Sequence, residues 1–497
     1  MEPIGSSTSI DRATGRWLRR TPGNPFTKLH TALYLMAWVL VMAQGWGAYI
    51  GSNPTAQLHD PAETSARIAN RDLQLAASAE RAGQFDGFTS LIHDSPEDVL
   101  DTSIWNHYDV LSVIAESEDN AEEVVHASDH TNIRLTILLS EAGRIDEARG
   151  RIPEIRDPSL RAAVATLYGE EPALSNQQRL GAMVELTTAG IEEWMLERVV
   201  VRTLSDLRED LREESLDEVL GDRNAKQQFG HDALAAANLL LVALGVLLLL
   251  PPVFRFFAGV ACASFVSPWP ASLGWAVIIR ADFWNRLYFV TVREFGIAFD
   301  NPSWLSPFYT WGTLIASLPM LWLIYRHLGG GSRAGVAKTF GIDFASLRST
   351  GIARLATAAV AIDLMGVTAI GWGLYWLGVS GVWSEGLDET LIFGTALEAT
   401  MSSLDYVVWT PLFEEILFRG LVFFTLRSRM GGVQAAAFSS LLFGGVHFYS
   451  FPGFLMTFWS GFVWAMVFER GRSLVPSIFA HSVYNVMFVL GTLLVYR

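Results

Sequence analysis

From Ala233 onward the chain is a series of apolar stretches, each about 20 residues long, joined by short polar connections. In lipid a stretch of that length has one backbone solution, the α-helix, because every N–H and C=O must find its partner within the segment. The stretches fall at roughly 233–254, 256–279, 305–326, 354–378, 403–426, 433–449, 453–469 and 474–495, and one more at 29–50 precedes them. The chain has 497 residues, 51% hydrophobic and 18% charged, too few charges to coat a soluble protein of this size. The expected fold class is therefore all-α, a polytopic membrane protein with about eight or nine transmembrane helices. The count turns on 256–279, which Pro268 and Pro270 interrupt. The next segment, 280–304, mixes aromatic residues with Arg280, Arg286 and Arg293 and reads as interfacial.

Residues 52–232 do not fit the bilayer. They hold 36 acidic and 16 basic side chains, whereas the whole chain has a net charge of −15, so an acidic soluble domain is inserted into a mildly basic membrane protein. Leu, Ala, Val and Ile recur there at i, i+3, i+4 spacing, which predicts helices throughout. Two stretches, 80–86 and 141–148, resemble the tight turn of a tetratricopeptide-like helical hairpin, although about 60 residues separate them rather than one repeat. Three domains emerge: a basic N-terminus (Arg12, Arg16, Arg19, Arg20, Lys28) with an uncleaved anchor over 1–51, the helical domain over 52–232, and the polytopic domain over 233–497.

Basic loops at 326–354, 427–429 and 470–472, set against an acidic loop near Glu385, Asp388 and Glu389, orient the chain. They place the N-terminus inside and the helical domain outside, with a bacterial cytoplasmic membrane as the expected location. Neither a basic stripe nor aromatic–basic interleaving occurs, so nucleic acid is not an expected partner. The single cysteine, Cys262, excludes an intramolecular disulfide and a cysteine zinc site.

Inside the stretch at 403–426 stand Glu414, Glu415 and Arg419. A charge at bilayer depth costs about 2.5–3.5 kcal/mol on insertion scales, so three of them in one segment imply a use. Adjacent helical residues project about 100° apart, so the two carboxylates take different roles. Arg419 lies one turn beyond Glu415, at the spacing of an ion pair, which leaves Glu414 as the working carboxylate. His447 comes directly after Phe443-Gly444-Gly445-Val446, and His481 and Asn485 share one helix face four residues apart. Three helices thus supply a carboxylate, two imidazoles and an amide. Two histidines and a glutamate suit a divalent metal such as zinc with an open position for water. They equally suit metal-free activation of water by the glutamate, with the imidazoles and the amide stabilising an oxyanion. The Gly-rich run at 329–335 lacks the residues of a phosphate loop and reads as a connection. Asp363, a further buried acid, is assigned to packing or to a pathway.

Three motifs carry a family resemblance. Glu414-Glu415-Ile416-Leu417-Phe418-Arg419, Phe443-Gly444-Gly445-Val446-His447 and His481-Ser482-Val483-Tyr484-Asn485 occur in order on successive helices. Over about 403–490 the chain resembles the CAAX protease and bacteriocin-processing (CPBP, or Abi) family of intramembrane proteases. The resemblance implies a type II prenyl-endopeptidase-like site hydrolysing a peptide bond of a membrane-associated substrate. Glu414 would activate water with His447, His481 and Asn485 would form the oxyanion side, and Glu415 with Arg419 would brace the helix. The 52–232 domain lies outside that family's core and is expected to hold a protein partner. The alternative reading is a non-catalytic scaffold or immunity-type protein that binds partners through this domain.

Overall fold

The computed structural model describes residues 26–50, 53–81, 95–116, 122–170, 175–203, 239–252, 269–299, 305–329, 331–348 and 350–497, with isolated positions between 229 and 237. Arg12 to Arg20, Cys262, Pro268 and most of the stretch 80–86 lie outside them. The described residues are helical and contain no strand. The chain divides into two compact units, one of 1–51, 238–381 and 393–490, the other of 52–237, 382–392 and 491–497.

In the first unit, α1 is Lys28–Ile50. The second unit opens with α2 (Pro61–Arg81), α3 (Pro96–Glu116), α4 (Glu122–Glu141), α5 (Ile145–Arg151), α6 (Pro158–Tyr168), α7 (Asn176–Thr188) and α8 (Glu193–Thr203). Successive helices pack as hairpins around Leu73, Ile104, Ile133, Leu138, Val164, Leu186 and Val199. The expected turn at 141–148 is present: α4 ends at Glu141, Gly143 in the turn takes a φ of 72° that suits a residue without a Cβ, and α5 begins two residues after it.

Helical periodicity carries no sign that two distant segments complete this unit. Asp109 on α3 accepts hydrogen bonds from Asn53 Nδ2 (2.5 Å), Thr55 Oγ1 (2.5 Å) and Trp383 Nε1 (2.9 Å). Glu389 accepts from the backbone N–H groups of His59 and Asp60 and from the Thr64 hydroxyl, at the start of α2. Tyr496 donates to Asp72 at 3.2 Å and Arg497 to the Leu391 carbonyl at 3.0 Å. Two carboxylates that look like solvated loop and helix charges are therefore acceptors that hold separate chain segments together.

The first unit continues with α9 (Leu239–Leu249) and α10 (Ala271–Ala298). Next come α11 (Gly312–Leu323), α12 (Arg333–Phe340) and α13 (Thr350–Trp376). The composite helix α14 runs through Ala396–Leu404, Asp405–Trp409, Thr410–Glu415, Ile416–Phe423 and Phe424–Arg427. It is succeeded by α15 (Gly432–Gly445), α16 (Phe451–Gly471) and α17 (Val475–Val495). Among the described residues, Gly351–Trp376, Phe451–Gly471 and Val475–Val495 are long and apolar enough to cross a bilayer, and Lys28–Val41 and Leu239–Leu249 are shorter apolar helices.

The expected division at residue 279 is replaced by one helix, α10, that starts after Pro270 and runs through Arg280. The charge of Arg280 predicts an interface, but its guanidinium lies over the rings of Phe26 (4.0 Å) and Tyr34 (4.6 Å) and donates to the Ala276 carbonyl. Cation–π and helix-carbonyl contacts let the helix keep a buried arginine.

Helix α16 is the hub of this unit, packed on both α13 and α15. Two glycines make room for it: a Cβ on Gly366 would meet the Trp459 indole at 1.9 Å, and one on Gly461 would meet Phe443, Arg419 and Ser440 at 3.0–3.2 Å. This closeness brings the ring of Trp464 and the guanidinium of Arg419 to the same point.

Candidate active site

The site is built from α14, α16, α17 and the turn after α15. Helix α14 is not a regular α-helix. Pro411 has no N–H to give to the carbonyl four residues back, and the helix widens just before it: the Thr410 N–H is bonded to the Asp405 carbonyl, five residues back. A second π segment, Ile416–Phe423, comes directly after the two glutamates. Glu414 and Glu415 therefore occupy a short α stretch between two wide turns, a helix irregularity common at functional sites.

The two carboxylates have different surroundings. Glu415 is fully buried and its Oε1 lies 2.8 Å from Arg419 Nη1, the ion pair that the spacing predicts. The same oxygen lies 3.2 Å from His481 Nδ1. Arg419 is enclosed by aromatic faces, its guanidinium 4.3 Å from the Phe443 ring and 5.0 Å from that of Trp464. A buried pair of this kind is retained only where other contacts offset its desolvation, and here the imidazole and the two rings supply them.

Glu414 keeps a quarter of its side chain exposed and stands between two imidazoles. His447 Nε2 is 3.9 Å from its Oε1, and His481 Nε2 is 3.8 Å from its Oε2. The Nδ1 of His447 lies 2.6 Å from the Phe443 carbonyl and donates to it, which leaves Nε2 as an acceptor on the Glu414 side. In the same way Glu415 claims the Nδ1 proton of His481 and turns its Nε2 toward Glu414. Separations of 3.8–3.9 Å are too long for direct hydrogen bonds. A water about 2.8 Å from both a carboxylate oxygen and an Nε2 would subtend about 90° between them, which suits a water held by base and imidazole together.

His447 lies beyond the helix on which the sequence predicts it. Helix α15 ends at Gly445, His447 occupies the following turn, and Phe448 adopts a left-handed φ of 56°. Of the two glycines before it, Gly444 is packed against Phe454 and Gly445 faces open space, so only the first serves close approach. The last motif residue, Asn485, donates from Nδ2 to the backbone carbonyl of Tyr406 at 2.7 Å.

Trp464 and Asp363 join the site without belonging to any motif. The Trp464 ring lies parallel to that of His481, centroids 4.2 Å apart and planes 21° apart. Asp363 on α13 is 1% exposed and faces the Ser460 hydroxyl and the Trp464 indole. In sequence Trp464 is one tryptophan among 17 in an apolar helix, and its position one turn beyond Ser460 and Gly461 carries no signal of chemistry.

Among the described residues, no group of three or more His, Cys, Asp or Glu side chains is placed to hold a metal ion. Glu414, His447 and His481 do not form such a group, each imidazole Nε2 standing 3.8–3.9 Å from the carboxylate.

With this geometry in place, comparison with known proteins gives one match. Residues 396–487 match the family described as Type II CAAX prenyl endopeptidase Rce1-like. The matched span begins with α14 and ends just after Asn485, so it contains all six motif residues. No curated protein and no solved structure matches the chain.

Proposed function

We propose that this integral membrane protein is an intramembrane endopeptidase in which Glu414 activates the attacking water. The observation that carries the reading is the pair of imidazole Nε2 atoms at 3.8 and 3.9 Å on the two oxygens of one partly exposed carboxylate, within the segment that matches a prenyl endopeptidase family.

In this mechanism a water bound between Glu414 and His447 loses its proton to the Glu414 carboxylate as its oxygen adds to the peptide carbonyl carbon. The carbonyl oxygen gains the negative charge of the tetrahedral intermediate on the side lined by His481, whose Nδ1–H is held by Glu415. The proton held by Glu414 then passes to the amide nitrogen as the C–N bond breaks, and the carboxylate is restored. Glu415 and Arg419 hold His481 and touch no reacting atom.

The substrate class is a peptide segment of a membrane-associated protein, since a site on apolar helices is reached from the bilayer. A prenylated C-terminal segment is the form that the family description points to. The N-terminus is assigned to the cytoplasmic side of a bacterial membrane and the helical unit to the opposite side, from the distribution of basic loops.

The test is comparative proteomics of membranes from cells carrying the wild type or Glu414→Ala at equal expression. Peptide termini made only by the wild type support proteolysis and identify the substrate. Identical termini, with both proteins supporting the cell equally, would overturn it and favour a scaffold acting through the helical unit.

A further inference from the structure

The Asn485 side chain reaches the backbone of a different helix, α14. Its Nδ2 lies 2.7 Å from the carbonyl oxygen of Tyr406, in the π segment Asp405–Trp409 that precedes the glutamates. In that segment the Thr410 N–H reaches back five residues to the Asp405 carbonyl. The next bond in the same register would run from residue 411 to the Tyr406 carbonyl. Residue 411 is proline and has no N–H to offer. The donor at that carbonyl comes instead from the amide of Asn485, on α17.

This bond sits just upstream of the two glutamates in the chain. A wide turn adds a residue relative to the α-helix, and each added residue rotates the helix beyond it by about 100°. Glu414 and Glu415 come three and four residues after Pro411. Relaxation of the wide turn would swing both carboxylates away from the imidazoles of His447 and His481. Helix α17 ties α14 down at two heights: His481 on Glu415 at 3.2 Å, and Asn485, one turn on, at Tyr406. The two ties run in opposite chain directions and fix the height of one antiparallel helix against the other.

We propose that Asn485 is a positioning residue that replaces the N–H missing at Pro411, holding the π turn that aims Glu414 at its two histidines. The proposal rests on the endopeptidase reading for its catalytic consequence, but the hydrogen bond at its centre does not.

The test is a double-mutant cycle in the full-length protein, purified in detergent, with Asn485→Ala, Pro411→Ala and both together. Pro411→Ala returns an N–H to position 411. Asn485→Ala alone should lower kcat by about tenfold or more, the scale of one lost hydrogen bond, with KM nearly unchanged, and should lower the thermal midpoint. On the Pro411→Ala background both penalties should shrink severalfold, because the helix then supplies its own donor. Asn485→Asp, close to isosteric but without the N–H, should behave as Asn485→Ala does. Equal penalties on both backgrounds would overturn the proposal and return Asn485 to a direct contact with the oxyanion. If the wild type shows no cleavage dependent on Glu414, the endopeptidase reading fails and the cycle in thermal midpoint alone decides: non-additivity supports the clamp, and additivity sinks it.

Discussion

The ring of Trp464 lies parallel to that of His481, 4.2 Å away. The same indole faces the Arg419 guanidinium, so it holds the orientation of the imidazole and covers the buried cation. Trp464→Ala should lower kcat by about tenfold to a hundredfold, the cost of a reacting group out of place by a fraction of an ångström. Trp464→Phe should retain most of the activity. Steady-state kinetics on a peptide substrate decides the matter: an alanine variant as active as the wild type would show that His481 does not need the stack.

The two glutamates should separate in their effects. Glu414→Gln should abolish turnover while leaving the thermal midpoint nearly unchanged, because its side chain is partly exposed and its nearest imidazoles lie 3.8–3.9 Å away. Glu415→Gln leaves Arg419 buried without its counter-charge and should cost about 3–5 kcal/mol of stability. Thermal unfolding beside an activity assay distinguishes them, and the reverse pattern would exchange their roles.

The helical unit should weaken in acid. Burial pushes His107 down to about 4 against the pull of its bond to the Ser103 carbonyl, and the charge of Arg134 adds to the depression. Burial also pushes His130 down to about 4, helped by His126 and Arg134 and opposed by Asp129. Unfolded histidine protonates near 6.5, so between about 6.5 and 4 the unfolded chain binds more protons than the native one. Stability is therefore fully present above about pH 6.5 and falls as pH drops toward 4, by up to about 3 kcal/mol for His107. Hydrogen exchange across α3 and α4 as a function of pH reads this directly. The slope should flatten in His107→Gln, and an unchanged slope would show that another group titrates.

Asp109 should hold the 382–392 segment. Removing its carboxylate leaves three donors from two segments without their acceptor, a loss of about 1–3 kcal/mol. Asp109→Ala should raise amide exchange at residues 382–392 and at 53–60 with little change in α6 and α7. Uniform exchange throughout would mean that the other contacts suffice.

Chelation tests the choice left open by the donor set. Proteolysis by glutamate-activated water should persist after dialysis against a strong chelator. Loss of activity that zinc alone restores would move Glu414, His447 and His481 to a metal centre.

Much of the site can be read directly from residue spacing. Glu415 and Arg419 are an ion pair because four residues make one turn, and the three motifs converge because each stands on or beside an apolar helix. The rest depends on relationships that local spacing does not encode. Pro411 looks like one more apolar residue in a spanning stretch, and its consequence appears only when the Asp405 carbonyl is traced to Thr410. The apolar run continues to Tyr449 and predicts a helix at His447, but the backbone turns after Gly445. Trp464 and Asp363 act through helix packing that two glycines permit. The acids Asp109 and Glu389 read as solvated because partners of each lie hundreds of residues away in the chain.

The unit formed by 52–237, 382–392 and 491–497 is assembled from three stretches of sequence. Asp109 and Glu389 tie the first stretch to the second, Tyr496 ties the third to the first, and Arg497 ties it to the second. An excised 52–232 fragment therefore lacks donors and acceptors that two distant stretches supply, and during synthesis the unit is complete only when the last residues of the chain have been made.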